Sequence, residues 1–254
     1  MLNWNCYFLD RDFTYIFWYV KCFMQLFINK TEKLYGVITA PSSKSHSVRA
    51  LIIATLAKGT SVLHNVLYAD DTKAAIAVCK GLGAQIKQIK PACHSFCLRV
   101  KSGGIPLQTN KNSLFSGNSG ITTTFALPLI GLRKNCDKPL LFRCGKQMQK
   151  RPLKPLMEAL NNLGMNIRAL KKNSGCPLGI GMRLKGGSTK IDGLNSQYLS
   201  ALLLGLPCAG KNSTVVVKNL HERPYVDMTL AWLKEQKIRY SHSKKNREDI
   251  FQIF

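Results

Sequence analysis

Acidic residues are scarce in this chain. Only 13 Asp and Glu stand against 37 Lys and Arg in 254 residues, leaving a formal charge of +24. Such a surplus suits anionic partners: nucleic acid, an anionic membrane or small phosphorylated molecules. A dense basic block interleaved with aromatics is also missing, as are the usual nucleic-acid motifs, so the charge reads as a solvated surface and no nucleic-acid partner is expected. The nine cysteines include no Cys-x-x-Cys pair. Their one close cluster, Cys93-His94-Ser95-Phe96-Cys97, lacks a second ligand pair, which argues against a zinc site. Free thiols in a reducing cytosol fit better than disulfides, so the expected location is cytoplasmic. No clean membrane span is present either. Phe13 to Ile28 is aromatic and aliphatic, but Lys21 and Gln25 interrupt it, short of the ~20 apolar residues that cross a bilayer. No basic segment leads into a small-residue cleavage site, so a signal peptide is not expected. Residues 1–32 are read as an extension of unknown role with no membrane partner, the alternative being a membrane-associated helix.

What is present looks globular: 45% of the residues are hydrophobic and 20% charged. Three segments share one design. Asp71-Thr72 leads through Ala75, Ile76 and Val78 to Leu82-Gly83 and Ile86. Arg151-Pro152 leads through Leu156, Met157 and Leu160 to Leu163-Gly164 and Ile167. Arg223-Pro224 leads through Val226, Met228, Leu230 and Leu233 to Ile238. Each begins with a helix-starting Asp or Pro, carries an apolar stripe of helical period and ends in an Ile that opens a strand. This is an internal threefold repeat. Further helices are expected over 45–58, 119–131 and 196–205. Strands are expected near 34–40, 60–67, 84–90, 96–101, 139–144, 165–171, 180–185, 189–192, 213–219 and 237–241. The coarse reading is three α/β units packed around a shared core. No linker divides 33–240, and 241–254 is read as a tail with at most one last strand.

Four stretches carry candidate chemistry. Pro41-Ser42-Ser43-Lys44-Ser45-His46-Ser47-Val48-Arg49-Ala50 joins an extended run to a helix that stops at Gly59. Free N–H groups at such a helix start, with the charge of Lys44, the hydroxyl of Ser45 and Arg49 one turn on, suit a phosphate or carboxylate. Gly117-Asn118-Ser119-Gly120 opens another apolar helix, and its glycines allow an anion close to the backbone. Asn195-Ser196-Gln197-Tyr198 opens a third, with side chains able to bind hydroxyls and phosphate. Arg223-Pro224-Tyr225-Val226-Asp227 opens the last repeat helix.

In this order and near this spacing, the four stretches resemble the signature of the EPSP synthases, the enolpyruvyl transferases of the shikimate pathway. The resemblance runs from Lys33 to Ile238, about four fifths of the chain but about the first half of the family's usual length. It implies an α/β (α+β) fold: an enolpyruvyl-transferase-like domain of three repeated βαβαββ units, helices inside and sheets outside. That first domain is expected over 33–240, with 241–254 a truncated tail and the second domain absent. The implied reaction moves the enolpyruvyl group of phosphoenolpyruvate onto the 5-hydroxyl of shikimate 3-phosphate, in aromatic amino acid biosynthesis, with no metal and no organic cofactor. The implied substrate-binding residues are Lys44, Ser45, Arg49, Asn118, Gly120, Asn195, Ser196, Gln197 and Tyr225. The proton-transfer groups are expected in the other domain, with a separate C-terminal half as a candidate partner, so the isolated chain is expected to be inactive. Four positions depart from the family: Asn195 replaces a Ser but could still donate a hydrogen bond, Ile121 and Thr124 replace a Thr and an Arg, and Gln147 stands where an Arg clamps the carboxylate of phosphoenolpyruvate. A neutral amide cannot replace that clamp. The alternatives are a relic that only binds phosphorylated shikimate, or a basic nucleic-acid-binding module. The related UDP-sugar enolpyruvyl transferases are disfavoured by Ser-Lys-Ser-x-Ser-x-Arg.

Overall fold

The computed structural model describes residues 32–33, 35–90, 96–171 and 175–254. Two compact units are distinguished, Met1–Thr39 and Ala40–Phe254. The run 1–31, where the extension is expected, lies outside the described residues, as do 93–95 of the Cys93–Cys97 cluster. In the first unit, residues 35–39 form neither helix nor strand, so the strand expected over 34–40 is absent there. Among the described residues no strand pairs with them, and Tyr35, Val37 and Ile38 are exposed. Extended residues become a strand only within a ladder.

The second unit carries the threefold repeat as topology. First come α1 (Lys44–Leu56), β1 (Lys58–Leu63), α2 (Asp70–Gly81), β2 (Gln85–Ile89) and β3 (Cys97–Gly103). The second repeat holds β4 (Ser113–Phe115), α3 (Gly120–Ile130), β5 (Leu140–Arg143), the short α4 (Lys146–Gln149), α5 (Lys154–Asn162), β6 (Asn166–Ala169) and β7 (Leu178–Gly181). The third holds β8 (Ser188–Asp192), α6 (Ser196–Gly205), β9 (Ser213–Lys218), α7 (Arg223–Glu235), β10 (Tyr240–Lys245) and β11 (Glu248–Ile253). The second sheet runs β4-β5-β7-β6 and the third β8-β9-β11-β10. In both, the first pair is parallel and the others antiparallel. The first sheet, β1-β3-β2, has the same order without the leading strand.

Helices fill the middle. Every residue of α3 is buried, as is nearly all of α6, and these two pack on each other. A helix that is apolar all round belongs in a core, whereas α5 buries one stripe, at Leu156, Ala159 and Leu160. The sheets wrap this bundle with alternating inward side chains, as at Ser213, Val215 and Val217 of β9. Among the described residues, no helix is long and apolar enough to cross a membrane.

In place of the one last strand expected over 241–254, two strands are found. Most of that run is the β10–β11 hairpin, and β11 lies inside the third sheet between β10 and β9. The hairpin turns at Asn246-Arg247, both at positive φ (49° and 64°), a pair of left-handed residues that matches strand twist. An Arg at the second position hides this turn from a reading that looks for Asn-Gly. Left-handed residues also move strand ends. Met182 (φ 58°) ends β7 at Gly181, ahead of the expected 180–185, and Lys237 (φ 57°) delays β10 to Tyr240. The three-residue β4 is too short to show alternation and is not foreseen.

Candidate functional site

The repeat brings helix starts to one end. A cleft of about 290 Å³ there is lined from α1 by Lys44 and Ser45, from α2 by Asp71, and from α3 by Asn118, Gly120 and Ile121. The start of α6 contributes Ser196 and Gln197, and that of α7 Glu222 and Tyr225, while Arg151 enters three residues ahead of α5. Larger hollows of about 510 and 560 Å³ lie at Trp232 and beside Lys171, but no such convergence of helix starts occurs in either. Helix N-termini carry unpaired N–H groups and positive partial charge, so the chemistry of this end of the bundle suits an anion.

The local chemistry follows from the caps. Ser43 caps α1 by accepting from the N–H of His46, Ser119 caps α3 by accepting from Thr122, and Asn195 caps α6 by accepting from Gln197 at 3.0 Å. Lys44 is half-exposed and pairs with Asp71 at 3.5 Å. Asp71 also accepts from the Ser119 hydroxyl at 2.5 Å. Gly145 lets Asn118 lie close: a Cβ there would stand 2.1 Å from Asn118 Oδ1. Asn118 Oδ1 in turn accepts from the N–H of Gln147 at 3.2 Å. At Gly120 a Cβ would meet Arg151 Nη1 at 2.8 Å and approach Gln197 Oε1 at 3.6 Å. The guanidinium of Arg151 therefore sits over the bare start of α3.

Eight of the nine expected site residues line the cleft; Asn195 does not, and acts as the α6 cap. Arg49 has a different place from Lys44 and Ser45. Only 1% exposed, it lies beneath the cleft. Its Nε donates to Thr229 Oγ1 at 2.8 Å, Nη1 to the Ser45 carbonyl at 3.1 Å, and Nη2 to Ser200 Oγ and the Tyr225 carbonyl at 3.3 and 3.0 Å. Phe125 covers it, with 5.2 Å from the guanidinium carbon to the ring centre. Burial pushes its pKa down to about 10, so it stays charged at neutral pH. The departures from the family's pattern also find their places. Thr124 is buried and spends its hydroxyl on the Gly120 and Ile121 carbonyls, while Gln147 is exposed and does not line the cleft.

Sequence reasoning passes over three lining residues: Asp71, Arg151 and Glu222. The signal that finds them is the repeat itself. Asp71, Arg151 and Glu222 each lie at or just before the second long helix of their repeat, at the end where the first helices also begin. Glu222 accepts from Ser196 Oγ at 2.8 Å and from the Ser196 N–H at 3.4 Å.

Comparison with known proteins gives one answer. Residues 28–252 match the family model of EPSP synthase (3-phosphoshikimate 1-carboxyvinyltransferase). A 3-phosphoshikimate 1-carboxyvinyltransferase of Acetivibrio thermocellus is 38% identical over 215 residues, which are 84% of this chain and 48% of that protein. One of Ruminiclostridium cellulolyticum is 37% identical over 220 residues, 87% of this chain and 50% of that protein. The solved EPSP synthase of Acinetobacter baumannii shares the fold, with a TM-score of 0.69 at 20% identity over 85% of this chain and 46% of its own. The chain thus spans about half the length of the curated relatives it matches. With the repeat, the cleft and the family model in agreement over the same residues, the chain belongs to the EPSP synthase family.

Proposed function

We propose that this chain provides one wall of an enolpyruvyl-transferase site, binding shikimate 3-phosphate and phosphoenolpyruvate at the cleft where its helices start. The observation that carries the reading is the convergence of the α1, α2, α3, α6 and α7 starts, with Lys44 and Arg151, on one polar cleft. Both substrates are multiply charged anions, and such ends hold anions at fixed positions. In the reaction, the 5-hydroxyl of shikimate 3-phosphate gives its proton to a base as its oxygen bonds to the substituted carbon of phosphoenolpyruvate. The methylene carbon gains a proton and later loses one, and the C–O bond to phosphate breaks. The part of this chain is binding and charge. Lys44 and Ser45 serve phosphoshikimate, Gln197 contacts both substrates, and Tyr225 contacts the phosphoshikimate. Among the described residues, no group of three or more His, Cys, Asp or Glu could hold a metal ion.

Calorimetry with shikimate 3-phosphate tests the reading. Lys44→Ala is expected to weaken binding by about 1.5–3 kcal/mol, the worth of a hydrogen bond to a charged group. Equal affinity in the two chains would remove Lys44 from the site, and no binding by the wild-type chain would remove the reading.

Arg151 takes the role that Gln147 leaves open. Its guanidinium stands over Gly120, and among the described residues that side chain makes no hydrogen bond or ion pair. With a C-terminal half supplied from a related enzyme, phosphate release is expected only when both substrates are present. Arg151→Ala is then expected to raise the KM for phosphoenolpyruvate about tenfold or more, the worth of a bidentate charged contact. An unchanged KM would return the clamp to another residue.

A further inference from the structure

We propose that Glu222 is a built-in competitor for anions at the α6 end of the cleft, so that this one side chain sets how tightly a phosphate group binds there. The inference rests on the reading above and concerns the same cleft. Glu222 immediately precedes α7 and has left-handed backbone angles, φ 49° and ψ 39°. A non-glycine residue pays strain for that conformation. From the N-cap position its side chain makes no cap bond to its own helix. It turns across to the neighbouring helix. There Oε2 takes two donors at the start of α6, the Ser196 hydroxyl at 2.8 Å and the Ser196 N–H at 3.4 Å. Ser196 is 1% exposed, so no second face of it is open to another acceptor.

The two carboxylates of the cleft are held differently. Asp71 is paired with a cation, Lys44, at 3.5 Å. Glu222 takes part in none of the ion pairs formed by the described residues. A helix start and a hydroxyl hold its charge, and these are the same donors that receive a phosphate oxygen. Glu222 itself is exposed at the rim, so it can swing out without unpacking the core. An incoming phosphate must displace it and then share the cleft with a like charge. A seat filled nine times in ten weakens apparent binding about tenfold, and the like charge adds to that.

The test compares the wild-type chain with Glu222→Gln and Glu222→Ser, using calorimetry with inorganic phosphate and, separately, with shikimate 3-phosphate. Both variants are expected to bind both anions about tenfold tighter or more. Variants that keep the wild-type thermal midpoint but bind phosphate no tighter overturn the inference, as does a failure of all three folded chains to bind either anion. Tighter inorganic phosphate with no binding of shikimate 3-phosphate keeps the inference and overturns the substrate reading. Shikimate 3-phosphate bound equally by all three does the reverse. If the variants do not fold, the wild-type chain carries the test by nuclear magnetic resonance. Saturating phosphate should shift the side-chain carboxyl resonance of Glu222 together with the Ser196 amide, and a Glu222 resonance that stays fixed while the Ser196 amide moves overturns the inference.

Discussion

A chain ended at Arg239 is expected to lose its cooperative unfolding transition. The cut removes β10 and β11, and β11 is an interior strand bonded on both sides. Phe251 and Ile253 are each 1% exposed, and burying two such side chains is worth roughly 3–6 kcal/mol. That alone is a large part of the ~5–15 kcal/mol that holds a domain together. The cut also leaves β9 with an unpaired edge and uncovers Val215 and Val217. Asp249 goes too, with its contacts to His242 at 2.7 Å and Arg223 at 3.7 Å, the second of which ties the hairpin to the start of α7. Thermal unfolding followed by circular dichroism gives the answer. A shortened chain that melts as sharply and as high as the full one would mean that the hairpin is an appendage.

Arg49→Met is expected to destabilise the fold by about 3 kcal/mol, a fall of roughly 6–12 °C in Tm for a body of this size. Two effects compete. Removing a buried guanidinium relieves a desolvation cost, the same cost that pulls its pKa to about 10. Against this, four hydrogen bonds from a charged donor are lost, to Thr229, Ser45, Ser200 and Tyr225. Each is worth ~1.5–3 kcal/mol net, so their sum outweighs the relief. Methionine fills similar volume, which keeps a cavity from being the whole effect. Arg49→Lys should recover only part of the loss, because an ammonium cannot present the planar fork. Denaturant titration measures both variants. Wild-type stability in Arg49→Met would show that desolvation cancels the bonds.

The fold is legible where periodicity is long. The repeat helices at Asp71, Arg151 and Arg223 stand where the apolar stripes place them, because a stripe such as Leu156–Leu160 has only one way to be buried. It is illegible where single residues adopt left-handed angles, as at Met182, Lys237 and Arg247, since no apolar pattern reports φ. In the cleft, stretches that open helices are readable from caps and glycines. Direction is not readable. Helical spacing puts Arg49 on the face of Ser45, but which way the guanidinium turns depends on Ser200, Tyr225 and Thr229, more than 150 residues away. Glu222 escapes notice for the same reason: its partner is Ser196, on another helix.

The bonds of Arg49 also set an order of events during synthesis. Helix α1 can gather early with α2, and β1 with β3, because these contacts are local. The residue that bolts α1 down finds its partners 151, 176 and 180 positions later. At a ribosomal pace of about 5–20 residues per second, the last of them arrives roughly 10–35 s after Arg49 itself. During that interval Arg49 lacks three of its four acceptors while its neighbours Val48, Leu51 and Ile52 are ready to pack, and the first repeat can be only provisionally closed. Locking waits for α7, so the final packing of the earliest helix is a late step in the making of the chain.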